Sequence, residues 1–194
     1  VTTREFWDRH AATFDDEPDH GLRDPRVRDA WARLLLPLVP PASSVVDLGC
    51  GTGSLSVLLA EAGHDVHGLD LSEEMVKAAR AKAAALGVAA EFSVGNAAHP
   101  PHPKASFGVV LARHALWALP DPASALEEWV SLLAPGGVLL LVEGRWSTGA
   151  GLTSAQTREL VLGVRAEAVV TPLTSEDLWE RSIEDERYLV ASRR

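Results

Sequence analysis

Asp47, Gly49, Gly51, Gly53 and Asp70 are the residues of this 194-residue chain whose types and spacing best match a definite chemistry. Glycines spaced G-x-G-x-G permit left-handed backbone and bring a ligand close to the bare main chain. The apolar pattern that follows, Ser54 to Gly63, reads as a helix stopped by a glycine. Its N-terminus would offer unpaired N–H groups to that ligand. Asp70 closes the next apolar run, Asp65 to Leu69, where a carboxylate can accept hydrogen bonds from two ribose hydroxyls. The chemistry is that of a nucleoside cofactor. His114, Arg113 and His20 form a second group, able to move a proton or hold an acid.

These residues need strands and helices to hold them. Ser44–Leu48 reads as a buried strand ahead of the glycines, and Asp65–Leu69 as the second strand. Asp24-Pro25 caps a helix with Val27, Ala30, Trp31, Leu34, Leu35 and Leu38 on one face, so Trp31 belongs to the core. Ser72, with Glu73 and Glu74 behind it, starts a helix that ends at Gly87. Phe6, His10 and Phe14 share a helical face and predict a helix near 3–14, a flank or lid. Further strands are expected at 90–94, 107–112, 138–142, 169–171 and 187–191. Asp121-Pro122 and the Thr153/Gln156 capping box start helices, the second reaching about Ala166, and Thr174 to Asp177 opens a short one holding Trp179. Alternating strands and helices imply a doubly wound α/β sheet with helices on both faces.

The spacing G-x-G-x-G differs from the dinucleotide fingerprint G-x-G-x-x-G. With Asp47 before it, it resembles the first motif of the class I S-adenosylmethionine-dependent methyltransferases. Gly95-Asn96-Ala97, the run Phe107-Gly108-Val109-Val110 and the turn Pro135-Gly136-Gly137 before an apolar strand extend the resemblance over about residues 42–145. The family usually has Asp where this chain has Gly108, a departure that weakens the entry of that strand. The resemblance implies a seven-stranded, mostly parallel sheet with its last strand reversed. It implies S-adenosylmethionine as cofactor and S-adenosylhomocysteine as product. Asp47, Gly49, Cys50, Gly51 and Gly53 would line the methionine end, Asp70 the ribose, and Met75, Asn96 and Ala97 the adenine, with Leu71 also touching the cofactor. Arg113 would pair with the methionine carboxylate or with an acidic substrate. His114 is the first candidate base and His20 the next, with Trp117 and Trp146 as walls of the substrate pocket.

The chain is expected to form a single domain: a helical flank or lid at 1–40, a cofactor core at 42–145, and the substrate side of the sheet at 146–194. The formal net charge of −9 disfavours nonspecific binding to nucleic acid or anionic membrane, and no apolar run reaches membrane length. Cys50 is the only cysteine, which fits a reducing compartment, and no signal peptide is apparent, so the expected location is cytoplasmic. His99 and His102 stand among prolines without helical spacing, so no metal site is expected. The expected partner is a small molecule bearing an O, N, S or C nucleophile, and the chain is expected to act as a monomer or homodimer. A nicotinamide-dependent oxidoreductase and a non-catalytic S-adenosylmethionine-binding protein remain alternatives.

Overall fold

Residues 2–193 are described by a computed structural model. The elements in order are α1 (Thr3–His10), α2 (Pro25–Leu35), β1 (Ser44–Leu48), α3 (Ser54–Glu61), β2 (Asp65–Asp70), α4 (Glu73–Leu86) and β3 (Glu91–Val94). They continue with β4 (Phe107–Arg113), α5 (Pro122–Ser131), β5 (Leu133–Arg145), α6 (Ser154–Leu162), β6 (Val169–Pro172) and β7 (Glu186–Ser192). The seven strands form one sheet in the order β3-β2-β1-β4-β5-β7-β6. The first five are parallel, and β7 runs antiparallel to both β5 and β6. The expected mostly parallel sheet with a reversed last strand is the one that forms. Strand order turns back between β1 and β4, and the crevice beyond their carboxyl ends is where ligands bind in such sheets.

Local signals start most of the helices. Asp24 caps α2 by accepting from Arg26 N at 2.8 Å. Ser72 caps α4 through Met75 N at 3.1 Å, and Gly87 ends α4 in the left-handed conformation. Thr153 and Gln156 close a capping box at α6. The strands are apolar on both sides because both faces are covered. Val45, Val109 and Leu140 meet α2 and α3, with Trp31 fully buried among them. Val46, Val110 and Leu141 meet Leu126 and Trp129 of α5 and Val161 of α6.

Four boundaries differ from the sequence reading. α1 stops at His10, and a 3-10 turn at Phe14–Asp16 follows, because Asp15 drops onto the glycine loop to accept from Thr52 Oγ1 at 2.5 Å. α6 ends at Leu162 under Gly163. The segment after Thr174 forms only a 3-10 turn, Glu176–Leu178, with Trp179 just past it. β5 begins at Leu133, ahead of Pro135-Gly136-Gly137, because Leu133 already pairs with Phe107. The register slips between Phe107 and Val109, so Gly108 lies at an irregular strand entry.

Gly68 in β2 is packed tightly under Phe92 of β3 and Cys50 of the glycine loop. A Cβ there would lie 2.5 Å from Phe92 Cδ1 and 2.9 Å from Cys50 Sγ. Gly68→Ala should therefore destabilise the fold by about 1–3 kcal/mol through overpacking, read as a lower denaturation midpoint. A midpoint unchanged from wild type would contradict this packing.

Candidate active site

The carboxyl ends of β1, β2 and β4 open into one cavity of about 440 Å³. That lies within the roughly 300–1,000 Å³ common for small-molecule sites. A shallower depression at the other end of the sheet, beside Gly63 and Gly87, is larger but lies away from the glycine loop. Of the candidate residues, Asp47, Gly49, Cys50, Gly51, Asp70 and Leu71 line the cavity. So do Met75, Asn96, Ala97, Arg113, His114 and His20. Gly53 stands behind the wall: with φ +76°, its added Cβ would meet Ala79 and Phe92 at 2.9 Å. Its role is to let the loop turn into α3 against α4.

Asp70 ties the floor together. Its Oδ2 accepts from Gly51 N at 2.8 Å and its Oδ1 from Ser72 N at 2.9 Å. Each oxygen keeps a second lone pair for a hydroxyl donor. Asp47 accepts from Ser56 Oγ at 2.6 Å, and burial pushes its carboxyl up to about 6. Burial also raises Asp70. Two desolvated carboxylates on one floor favour a ligand that brings a positive charge or hydroxyl donors.

Other candidates take positions that the sequence did not give. Cys50 turns its Sγ away toward Gly68 and Phe92, and burial followed by Asp47 and Asp70 holds the thiol well above its ordinary range. It is a packed thiol at the cavity rim, without nucleophilic character. Asn96 spends its Oδ1 on Ala98 N at 2.9 Å, and the Ala97 carbonyl accepts from Trp129 Nε1 at 2.7 Å. Arg113 is not a surface cation. Its Nη1 donates to the Asp19 carbonyl at 3.1 Å and lies 3.5 Å from Asp19 Oδ2, with the guanidinium over Trp31.

The histidines differ in what fixes them. His20 stacks on Phe14, and its Nδ1 lies 3.1 Å from the Phe14 carbonyl. A carbonyl only accepts, so Nδ1 carries the proton and Nε2 keeps a lone pair. Burial, then Arg113, lowers its pKa. His114 has φ +56°, held by its N–H to the Val142 carbonyl and by Trp117 Nε1 on its own carbonyl. Its ring stands against Trp146 and Trp179, and its Nδ1 is buried without a partner. Burial, then Arg113 and Arg187, holds it well below the ordinary histidine range, so the ring is neutral.

Some residues of the site were not singled out in the sequence. Asp8 accepts from Ser72 Oγ at 2.6 Å, and Asp15 meets Lys82 Nζ at 2.9 Å. With Asp19 on Arg113, these carboxylates fasten the N-terminal segment over the cavity. Trp179, Arg181 and Arg187 complete the wall. Glu143 lies fully buried beneath the tip of β4, where its Oε1 accepts from Leu116 N at 2.8 Å and its Oε2 has no partner. A glutamate inside an apolar strand was the available signal.

Residues 46–141 match the family model described as a methyltransferase domain. The ubiquinone biosynthesis O-methyltransferase of Xanthomonas axonopodis pv. citri is 35% identical over 137 residues, 70% of this chain and 54% of that protein. The chain thus spans about half the length of the curated relatives it matches. The geranyl diphosphate C-methyltransferase of Streptomyces coelicolor A3(2) superposes with a TM-score of 0.75 at 16% identity, over 98% of this chain and 96% of that one. The cyclase SpnF superposes with a TM-score of 0.72 at 20% identity, over 86% and 81%. The chain belongs to the class I S-adenosylmethionine-dependent methyltransferases. Within that class, its sequence relatives are O-methyltransferases by name.

Burial pushes the Glu143 carboxyl up to about 8, against backbone N–H groups of Leu116, Trp117 and Ala115 that pull it down. A carboxyl whose folded pKa is raised stabilises the fold fully below its unfolded pKa. That contribution is lost as pH rises through the folded value. The melting temperature of Glu143→Gln relative to wild type should therefore climb in the variant's favour between about pH 5 and about pH 8. A pH-independent difference would contradict a carboxyl that is neutral at neutral pH.

Proposed function

We propose that this chain transfers the methyl group of S-adenosylmethionine to a hydroxyl of a small planar molecule, without a metal ion. One observation carries the reading: a single cavity joins the Asp47/Asp70 floor and glycine loop to a wall of His20, His114, Trp117 and Trp146. The O-methyltransferase names of the sequence relatives support oxygen as the target atom. S-adenosylmethionine, when bound, supplies an electrophilic methyl group on a sulfonium. Asp70 accepts hydrogen bonds from the ribose hydroxyls, and the glycine loop offers backbone to the methionine end. Leu71 and Met75 give the adenine an apolar seat. The Trp117 and Trp146 rings, 5.1 Å apart, exclude water and orient the acceptor. His20 takes the hydroxyl proton at Nε2, the nitrogen left with a lone pair by the Phe14 carbonyl. His114 presents its neutral ring beside the same space and positions the acceptor. Among the described residues no group of His, Cys, Asp and Glu is suited to hold a metal, and Arg113 paired with Asp19 lies at the β4 tip, which supports an acceptor aligned and deprotonated by side chains.

Calorimetry should give one S-adenosylhomocysteine per chain. Losing charge-assisted bonds to two hydroxyls costs on the order of 1.5–3 kcal/mol, so Asp70→Ala should weaken that binding about tenfold or more. Binding of NADH with none of S-adenosylhomocysteine would overturn the reading.

Loss of a general base typically costs ~10²–10⁴ in rate. Against a panel of phenols, His20→Ala should lose at least about a hundredfold in turnover while S-adenosylhomocysteine binds as before. Only the neutral imidazole accepts a proton, and burial lowers its pKa. The wild-type rate should therefore stay level as pH falls through ~6.5 and drop only below it. Retained turnover in His20→Ala would move the base to His114 or leave catalysis to alignment.

A further inference from the structure

The acceptor end of the cavity is rich in arginine, although the chain as a whole carries a formal net charge of −9. Arg113, Arg181 and Arg187 all stand in its wall. Arg113 is paired with Asp19, and Arg187 Nη2 with Asp185 Oδ2 at 3.1 Å. Arg181 makes no ion pair among the described residues, and the remaining acid there, Glu17, is exposed to solvent.

Arg187 is built in as a fixed group. Its guanidinium lies 4.9 Å from the Trp146 ring centroid and 5.6 Å from that of Trp179, within cation–π range of both. Gly144, its partner across the β5–β7 ladder, makes room for it: a Cβ at 144 would lie 2.7 Å from Nη1. The side chain is only 4% exposed, and Nη1 is buried with no hydrogen-bond partner. Half of the guanidinium fork is thus spent on Asp185 and half is unspent. An unpaired buried donor is costly, and a carboxylate oxygen is the acceptor its geometry suits best. Arg187, Trp146 and His114 all line the cavity, and Trp146 touches His114, so the guanidinium belongs to the same wall as the acceptor-facing ring.

We propose that Arg187, seated between Trp146 and Trp179, reads a carboxylate on the methyl acceptor, so that the acceptor is a planar aromatic acid bearing the hydroxyl to be methylated. The aromatic walls take the ring, Arg187 takes the acid group at one end, and exposed Arg181 strengthens the positive field at the rim. The inference rests on the methyl-transfer reading of the same cavity. Its test is a binding measurement that separates the two.

The protein is first saturated with S-adenosylhomocysteine. The ligands are 3-hydroxybenzoate and its uncharged counterpart 3-hydroxybenzamide, compared by calorimetry. The acid should bind at least about tenfold more tightly than the amide. Arg187→Gln should erase the difference while S-adenosylhomocysteine affinity stays the same. Because that variant loses a buried stack, Asp185→Asn serves as the second. It leaves Arg187 in place, removes its counter-charge, and should widen the preference for the acid. Equal affinity for acid and amide, binding of neither, or an Asp185→Asn variant without a stronger preference would overturn the proposal and leave the cofactor reading intact. Failure of S-adenosylhomocysteine to bind would remove both.

Discussion

Three carboxylates of the N-terminal segment hold this site in shape. Asp8 reaches Ser72 beyond β2, Asp15 reaches Thr52 and Lys82 beyond β1, and Asp19 reaches Arg113 at the end of β4. Each strand tip that borders the cavity is tied to the same stretch of chain. The Asp8 and Asp15 contacts are short, at 2.6 and 2.9 Å, and two of the three pairs include a group that burial has shifted. Asp19 is pushed up to about 6 by burial, while Arg113, Arg181 and Arg187 pull it back. Lys82 is lowered by burial, with Asp15 opposing. Pairs removed from water in this way cost much to break singly, because the partner left behind is a buried charge. The segment is therefore fastened by interactions that depend on one another. It carries Phe14 and His20 into the cavity wall as it docks.

The cofactor half of the site was legible because its signals are local. Glycine spacing, a carboxylate ending a strand and a capping serine all act within a few residues: Asp47, Gly49, Gly51 and Asp70 line the cavity and Ser72 caps α4, while Gly53 turns behind the wall. The acceptor half was not, because its parts meet only through the sheet. Arg187 reads as one residue of a strand until β7 sets it opposite Gly144. Nothing local marks Asp8, Asp15 and Asp19, whose partners come to them only when the segment folds over the cavity. Trp179 was placed on a helix, and Trp31 in the core. The structure sets their rings edge to face, 5.4 Å apart, in one cluster under Arg113. Sequence spacing gives the face of an element; long-range contact decides what that face meets.

Electrostatics divides the cavity into two ends. The floor between β1 and β2 is acidic, with Asp47 and Asp70 both raised by burial. The wall from β4 to β7 is cationic and aromatic. That polarity would draw a positively charged group to one side and an anion to the other, with neutral imidazoles between them. The fold does not impose this arrangement, since a cyclase shares it. Side chains at the strand ends set it.

The reversed direction of β7 has a consequence for how the site comes into being. Because β7 is antiparallel to β5 and begins at the edge of the sheet where β4 and β5 finish, Arg187 at its start borders the same cavity as Phe6 of α1, far from it in sequence. Contacts with so large a sequence separation carry a higher loop-closure cost than local ones. The glycine loop and Asp70 lie within residues 44–72, one strand-helix-strand unit. The acceptor wall also needs Trp179 and Arg187, far along the sequence, so the two halves of the cavity differ in how much of the fold must assemble before either has its shape.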